Sequence, residues 1–150
     1  MKLTLYSEYS LRVLLYLNHK HGEPSSLTEI AEFYGISRNH LMKVVSNLRN
    51  KDLVLTERGR NGGIWLARPA ADIKVGDVVR LTEPDLDFLD CFKESKKSFV
   101  LARTCTIKQV LQEATSIFVD ALNKYSLSDI AELQVAARHS IPINKKASHR

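Results

Sequence analysis

Residues 27–66 read LTEIAEFYGISRNHLMKVVSNLRNKDLVLTERGRNGGIWL, and their pattern indicates the architecture of the chain. It predicts two short helices, a reversal between them and a glycine-rich basic hairpin, which is the order of a winged helix-turn-helix. Ser26 and Glu29 have the spacing of a capping box at the start of the first of these helices. Gly35 can take a positive φ where that helix ends, and Ser37 can cap the next one. We therefore expect a mainly α fold with a small β-hairpin wing.

The second predicted helix runs from about Ser37 to Asn50 and has two faces. The apolar stripe, which should pack on the preceding helix, consists of Leu41, Val44, Val45 and Leu48. The polar face consists of Arg38, Asn39, His40, Lys43, Asn47 and Arg49. A charged stripe alone is more typical of an ordinary solvated helix face. In a helix-turn-helix, however, such side chains suit phosphates and base edges, because the first turns of this helix enter the major groove. The DNA contacts predicted here are Ser37, Arg38, Asn39, His40 and Lys43.

The hairpin favours the DNA-binding interpretation. Two β-prone runs, 53–56 and 64–67, flank the segment 57–63, in which three glycines fall within five residues. Glycines let the backbone turn tightly and approach a nucleic-acid backbone, and the arginines carry charge to phosphates or to a narrow minor groove. The wing contacts predicted here are Arg58, Arg60 and Asn61.

Charge is concentrated in the same region. The 150 residues include 22 Lys and Arg against 17 Asp and Glu, for a net charge of +5. Residues 38–68 hold seven cations and two anions, and this excess of five equals that of the whole chain. A local excess of this kind is expected of a protein that neutralises DNA phosphates. Double-stranded DNA is therefore the predicted partner.

Several other classes of protein are disfavoured. No apolar run approaches the ~20 residues needed to span a bilayer, and residues 1–5 lead directly into polar residues, unlike a secretion signal. We expect a cytoplasmic protein without a membrane partner. Two cysteines are too few for a secreted disulfide scaffold. No phosphate-binding glycine loop, metalloprotease histidine pair or serine nucleophile elbow occurs, so we expect no enzymatic activity.

The rest of the chain predicts further helices. One is expected from about Ser7 to Lys20, and a short one from Val75 to Leu81 with Val78, Val79 and Leu81 facing inward. Residues 85–104 lack a sustained period and predict a loop. The longest helix follows, because apolar residues then recur at 3-4 spacing for four turns. These are Ile107, Val110, Leu111, Ala114, Ile117, Phe118, Ala121 and Leu122.

So regular an apolar seam needs a partner, which is either a second copy of the chain or its own domain. We expect a homodimer. The predicted organisation is a winged helix-turn-helix DNA-binding domain over 1–84, a cysteine-containing sensor loop over 85–104, dimerisation helices over 105–138 and a disordered basic tail over 139–150.

Several segments together resemble the Rrf-two family of bacterial repressors, and within it the nitric-oxide-sensing NsrR branch. They are residues 5–14, 36–41, 58–64, 73–84, 90–92 and 124–130, so that the likeness extends over about residues 1–135. The resemblance implies a dimeric winged-helix repressor that binds a roughly palindromic operator and responds to nitric oxide, redox or iron–sulfur status. The long helix would be the dimer element.

The same resemblance implies an iron–sulfur cluster, with one departure. Family members that bind a cluster use three cysteines, and Cys91 and Cys105 match the outer two, whereas Phe99 stands in place of the middle one. A phenyl ring cannot coordinate iron, so a four-iron cluster on three cysteines is excluded and a two-iron type is favoured. Glu8 matches a carboxylate ligand of some members, while Arg12 stands where some two-cysteine relatives have a histidine. The fourth ligand is unassigned.

Three alternatives to a cluster-based sensor are open at this point. The two cysteines can be small apolar fillers of a constitutive repressor, or they can form a thiol switch. A general architectural module that binds nucleic acid could also use the same basic surface.

Overall fold

The computed structural model describes residues 2–59, 62–83, 86 and 106–140. Its order of elements confirms the predicted mainly α fold with a two-stranded wing. The helices are α1 (Leu5–His19), α2 (Leu27–Tyr34), α3 (Arg38–Asn50), α4 (Val75–Thr82), α5 (Thr106–Leu122) and α6 (Leu127–Ser140), and the strands are β1 (Val54–Glu57) and β2 (Gly63–Leu66). A short 3-10 turn, Ala70–Asp72, connects β2 to α4.

The capping box at the start of α2 is formed as predicted. The backbone N–H of Glu29 donates to Ser26 Oγ at 3.0 Å, and the backbone N–H of Ser26 donates to Glu29 Oε2 at 3.3 Å. At the other end of α2, Gly35 takes the left-handed conformation, with φ 63° and ψ 32°. The chain therefore reverses between α2 and α3 where the sequence indicated.

Helix α3 anchors the motif through its apolar stripe. Leu41 and Leu48 are fully buried, and Val44 and Val45 are nearly so. They share one core with residues of α1, α2 and the wing, among them Leu14, Ile30 and Ile64. Burying side chains of this size stabilises a protein by about 1.5–3 kcal/mol each. The opposite face of α3 is left to solvent.

The wing is an antiparallel pair whose register runs from Val54 opposite Leu66 to Glu57 opposite Gly63. Each strand is displaced by one residue from the predicted runs. The hairpin closes at Gly62, whose N–H donates to the carbonyl of Gly59 at 3.1 Å. A Cβ at position 62 would lie 2.3 Å from the carbonyl oxygen of Glu57, so only glycine allows this closure.

A third segment pairs with the wing, and the sequence did not indicate it. Ser25 donates its N–H to the carbonyl of Ile64 at 3.0 Å and accepts from the N–H of Ile64 at 2.8 Å. Because Ser25 immediately precedes the capping residue of α2, the wing is hydrogen-bonded to the start of the helix-turn-helix.

The junction of α5 and α6 is hydrogen-bonded to the chain around the start of α4. The N–H of Val75 donates to the carbonyl of Tyr125, and the N–H of Leu127 donates to the carbonyl of Ile73, both at 3.0 Å. These backbone bonds attach the C-terminal helices to the winged domain.

Side chains reinforce this attachment through a pair that we call the α4–α5 clamp, Asp77 and Asn123. The backbone N–H of Asp77 donates to Asn123 Oδ1, and Asn123 Nδ2 donates to Asp77 Oδ1, each at 3.0 Å. Gly76 is buried beneath the clamp, and a Cβ there would lie 2.4 Å from the carbonyl oxygen of Val119. The two helices therefore approach more closely than a side chain at position 76 would permit.

The inward face of α4 differs in part from the prediction. Val78 and Val79 are buried as expected, but Leu81 is 40% exposed, and Thr82 is buried instead. The buried positions follow helical spacing, which places residue 82 beneath residues 78 and 79 and turns residue 81 outward. The Thr82 hydroxyl avoids a desolvation cost by donating to the carbonyl of Val78 at 2.8 Å.

Helix α5 divides its predicted seam between two faces. One face packs on α4 and buries Thr115 and Val119, with Leu111, Phe118 and Leu122 partly buried beside them. The other face remains exposed and consists of Val110, Ala114, Ile117 and Ala121. We call this second set the exposed α5 face. The helix thus folds against its own domain and still presents an apolar surface.

None of the described helices is long and apolar enough to cross a membrane.

Candidate nucleic-acid interface

The outward face of α3 lies opposite the buried stripe. Its exposed residues include Asn39, Met42, Lys43, Ser46 and Asn50. An open groove of about 500 Å³ runs along it, lined by Met42, Lys43, Ser46, Asn47 and Asn50. Helix α3 contains no Asp or Glu, and its cations are Arg38, Lys43 and Arg49. This face therefore combines cations with amide and hydroxyl groups that can donate to phosphates and base edges.

The predicted contact residues on α3 do not all share one direction. Arg38, Asn39 and Lys43 are exposed. His40 is exposed too, but its ring centroid lies 6.5 Å from that of Tyr9 on α1, with the planes tilted by 32°. His40 therefore sits on the flank of the face nearest α1 rather than at its centre.

The predicted cap by the Ser37 side chain is wrong. Ser37 is the residue before α3, and its carbonyl accepts from the N–H of Leu41 at 3.1 Å, but its hydroxyl makes no capping hydrogen bond. Its torsions, φ −54° and ψ 128°, differ from those of Ser26, φ −85° and ψ 153°, which does cap its helix. The Ser37 side chain is exposed and open to another partner.

On the wing, Arg58 is exposed at the end of β1, next to Gly59 with φ 117°. Arg60 and Asn61, the other predicted wing contacts, lie outside the described residues. Arg58 is thus the one predicted wing contact that falls within the described residues.

The orientation of α2 is fixed by a polar network at its start. Glu29 Oε1 accepts from Tyr16 Oη and from Lys20 Nζ, both at 2.8 Å. The hydrogen bond from Lys20 is the main cause of a lowered pKa of the Glu29 carboxyl, followed by that from Tyr16. The same bond raises the pKa of Lys20, while burial is the main cause of the raised pKa of Tyr16. The network ties the last turns of α1 to the helix-turn-helix.

The candidate cluster ligands are only partly described. Glu8 lies on α1, with its side chain 45% exposed, and its Oε1 accepts from Arg12 Nη2 at 2.5 Å. Arg12 in turn lies 5.6 Å from the ring centroid of Tyr34, the last residue of α2. Cys91, Cys105 and Phe99 lie outside the described residues. Among the residues that are described, no group of three or more His, Cys, Asp or Glu side chains could hold a metal ion.

A family profile described as Rrf2, iron-dependent transcriptional regulator, matches residues 3–133. The chain belongs to the Rrf2 family. Among curated proteins, it is 46% identical over 133 residues to the HTH-type transcriptional regulator NsrR of Bacillus subtilis, covering 88% of this chain and 91% of that protein. It is 45% identical over 131 residues to the regulator of the same name from Bacillus licheniformis, covering 87% and 92%. The predicted family is confirmed.

Solved structures of related regulators share the fold. IscR of T. potens superposes with a TM-score of 0.70 at 29% identity, covering 95% of this Rrf2 chain and 93% of that one. CymR, the global cysteine regulator of B. subtilis, gives 0.64 at 30% identity and covers 89% and 98%. This Rrf2 protein is accordingly a winged-helix, DNA-binding transcriptional regulator and not an enzyme, as predicted.

The predicted contacts did not include three exposed residues of the outward face of α3, namely Met42, Ser46 and Asn50. A helical projection of residues 38–50 places Ser46 and Asn50 opposite the centre of the apolar stripe and Met42 at one side of the outward face. Polarity does not indicate Met42 as a contact, because its side chain is apolar.

Proposed function

We propose that this Rrf2 protein is a cytoplasmic homodimeric repressor that binds a roughly palindromic operator and releases it on exposure to nitric oxide or a related redox signal. One observation carries the DNA-binding part of this proposal. Helix α3 has a buried apolar stripe on one side and an exposed face without acidic residues on the other, and a basic wing is hydrogen-bonded to the same motif. The nitric-oxide part rests on the resemblance to the NsrR relatives.

In this proposal α3 and the wing make different contacts with the DNA. The major-groove contacts are Arg38, Asn39, His40 and Lys43, and the wing contacts are Arg58, Arg60 and Asn61. The exposed Ser37 hydroxyl, free of the capping role, binds a phosphate. Two-fold symmetry then requires half-sites about 34–36 Å apart, or a multiple of that distance.

Salt-dependent titration of operator DNA tests these contacts. Arg58→Ala should weaken binding to all sequences alike and reduce the slope of log K against log salt by about 0.9, because one phosphate contact is lost. Arg80→Ala is the matched control, since Arg80 is an exposed arginine on α4. Asn39→Ala should instead change the preferred bases. If the Arg58 variant had the same affinity and salt slope as the control, the wing would not be part of the DNA interface.

The exposed α5 face supports dimerisation. Val110 is 56% exposed and Ile117 61%, and both lie on the same side as Ala114 and Ala121. An apolar stripe of this length on a helix that already packs on its own domain is costly to leave in water. A second copy of α5, related by two-fold symmetry, would cover it with the same set of residues.

For the sensor we propose a two-iron cluster held by Cys91, Cys105 and Glu8. Two thiolates and a carboxylate are suitable iron ligands, and when bound the group would supply the reactivity towards nitric oxide. The carboxylate of Glu8 is exposed enough to reach a group outside its own helix, although it is now paired with Arg12. That pairing must be exchanged for ligation, which is consistent with a more labile site than three cysteines provide.

Anaerobic purification with measurement of absorption, iron and sulfide tests the cluster. The wild type should carry about two irons per subunit, and Cys91→Ser and Glu8→Gln should lose them. Glu32→Gln, which changes an exposed glutamate on α2, should not. A colourless, iron-free dimer with full operator affinity would refute the cluster and leave a thiol switch or a constitutive repressor. Random duplex or RNA that competes as well as operator would instead support an architectural module.

A contiguous set of contacts supports signal transfer from Glu8 to α3, the helix proposed to read the DNA. Glu8 pairs with Arg12, and Arg12 lies over the ring of Tyr34, which directly precedes the turn into α3. Replacing Glu8 by Ala should therefore uncouple nitric oxide exposure from DNA release. Unchanged release kinetics in this variant would argue against the route.

A further inference from the structure

A single large apolar side chain stands on the outward face of α3. Met42 is 57% exposed, although an apolar side chain of this size is usually buried. Asn39 precedes it by almost one turn, Ser46 follows by about one turn, and Lys43 is adjacent; all three are polar and exposed. Met42 is not among the residues that form the buried core or pack against it.

We propose that Met42 is a specificity-determining residue that packs against the 5-methyl group of a thymine in the major groove. This inference rests on the proposed function, in which the outward face of α3 reads the operator. The base edges in the major groove present hydrogen-bond donors and acceptors, and the thymine methyl is their one large apolar group. An apolar side chain among polar readers therefore has one matching partner on DNA.

The shape of this part of the surface suits the same contact. Met42 borders the open groove of about 500 Å³ together with Lys43, Ser46 and Asn47. An unbranched thioether side chain can adjust its three rotatable bonds to a methyl group that approaches along this groove. Lys43 beside it supplies charge for the phosphate backbone, so desolvation of Met42 would be coupled to favourable electrostatic contacts.

A second protein chain is a poorer partner for Met42. Stable protein interfaces bury about 800 Å² on each side and depend on clustered apolar residues at their centre. Met42 is surrounded by Asn39, Lys43 and Ser46, whereas the exposed α5 face offers four apolar positions in a row. The surrounding polarity favours DNA as the partner.

The experiment removes the methyl group from the DNA and the apolar side chain from the protein independently. Wild-type protein first selects its operator from a random duplex library. Each thymine in the selected half-site is then replaced in turn by deoxyuridine, which lacks only the 5-methyl group. Binding of each duplex is measured for the wild type, Met42→Ala and Met42→Leu. Leu81→Ala is the matched control, because Leu81 is an exposed apolar residue on α4.

At one thymine per half-site, deoxyuridine should weaken wild-type binding about fourfold, corresponding to about 0.8 kcal/mol for burial of one methyl-sized group. Met42→Ala should bind both duplexes equally at that position. Met42→Leu and Leu81→Ala should retain the preference for thymine. Since Met42 is exposed, its replacement should leave the thermal unfolding curve unchanged.

The inference is overturned if every deoxyuridine substitution affects the wild type and Met42→Ala alike. It is also overturned if Met42→Ala changes the oligomeric state, because Met42 would then belong to a protein interface. Failure of the proposed function is a distinct result, in which the wild type selects no sequence from the library at all.

Discussion

The close approach of α4 and α5 can be tested by adding a single methyl group. In Gly76→Ala the new Cβ would lie 2.4 Å from the carbonyl oxygen of Val119 and 2.5 Å from Asn123 Oδ1. Ordinary contacts begin near 3.4 Å, so the two helices must separate by about 1 Å or the Asn123 side chain must leave the clamp. The main-chain carbonyl cannot rotate away as a side chain can.

Three terms determine the expected loss of stability. Overpacking of this kind costs about 1–3 kcal/mol. The two solvent-exposed hydrogen bonds of the clamp add about 0.5 kcal/mol each if they break. Alanine regains up to about 1 kcal/mol because it is a better helix former than glycine. The net prediction is a destabilisation of about 2 kcal/mol, which in a chain of this size lowers Tm by roughly 4–8 °C.

Urea unfolding followed by circular dichroism measures this loss, with Asn123→Ala as the comparison. Asn123→Ala should cost about 1 kcal/mol, because it removes both side-chain bonds to Asp77. The double variant should fall short of the sum of the single ones, since one of the two clashes is then absent. A Gly76→Ala protein that unfolds at or above the wild-type urea concentration would refute the packing described here.

Three further predictions concern acid stability, assembly and the core. Glu29→Gln should be about 0.5 kcal/mol less stable than the wild type at neutral pH. Because the pKa of the Glu29 carboxyl lies below its ordinary 4.5, the stability that its bonds with Lys20 and Tyr16 provide persists above pH 4.5 and is lost below it. The acid-unfolding curves of the two proteins should therefore converge below pH 4.5. Ile117→Asp should be monomeric by sedimentation, while Ser116→Asp, whose substitution lies outside the exposed α5 face, should stay dimeric. If both variants were dimeric, the proposed interface would be contradicted. Leu48→Ala should lose about 2–5 kcal/mol in urea unfolding, and a loss below 1 kcal/mol would show that its site collapses without a cavity.

Local signals made the helix-turn-helix predictable. The capping box, Gly35 and the stripe containing Leu41 and Leu48 depend on residues within one or two turns of each other, so their physical causes are visible in the sequence. Short elements were harder. Helix α4 is only two turns long, and hydrophobicity alone predicted that Leu81 faces inward, whereas Thr82 is the buried residue.

Features that depend on distant residues were not predictable. The pairing of Ser25 with Ile64 and the contact of Gly76 with α5 join segments 39 and 43 residues apart, and neither has a pattern of its own. Helix α5 carries apolar residues around more than half of its circumference, so the sequence could not separate the face that meets α4 from the one that remains exposed. The two faces of α5 can be told apart only when the position of α4 is known.

The bond between Ser25 and Ile64 limits how the protein can be switched. Ser25 pairs with the wing, and the next residue, Ser26, caps α2, so one peptide unit joins the wing to the start of the helix-turn-helix. The α4–α5 clamp fixes the following helices to the same unit. A head built in this way resists internal deformation. In the proposed dimer, a signal would therefore act by changing the distance or angle between two rigid heads, so that each half-site fits well alone but both cannot be occupied at once.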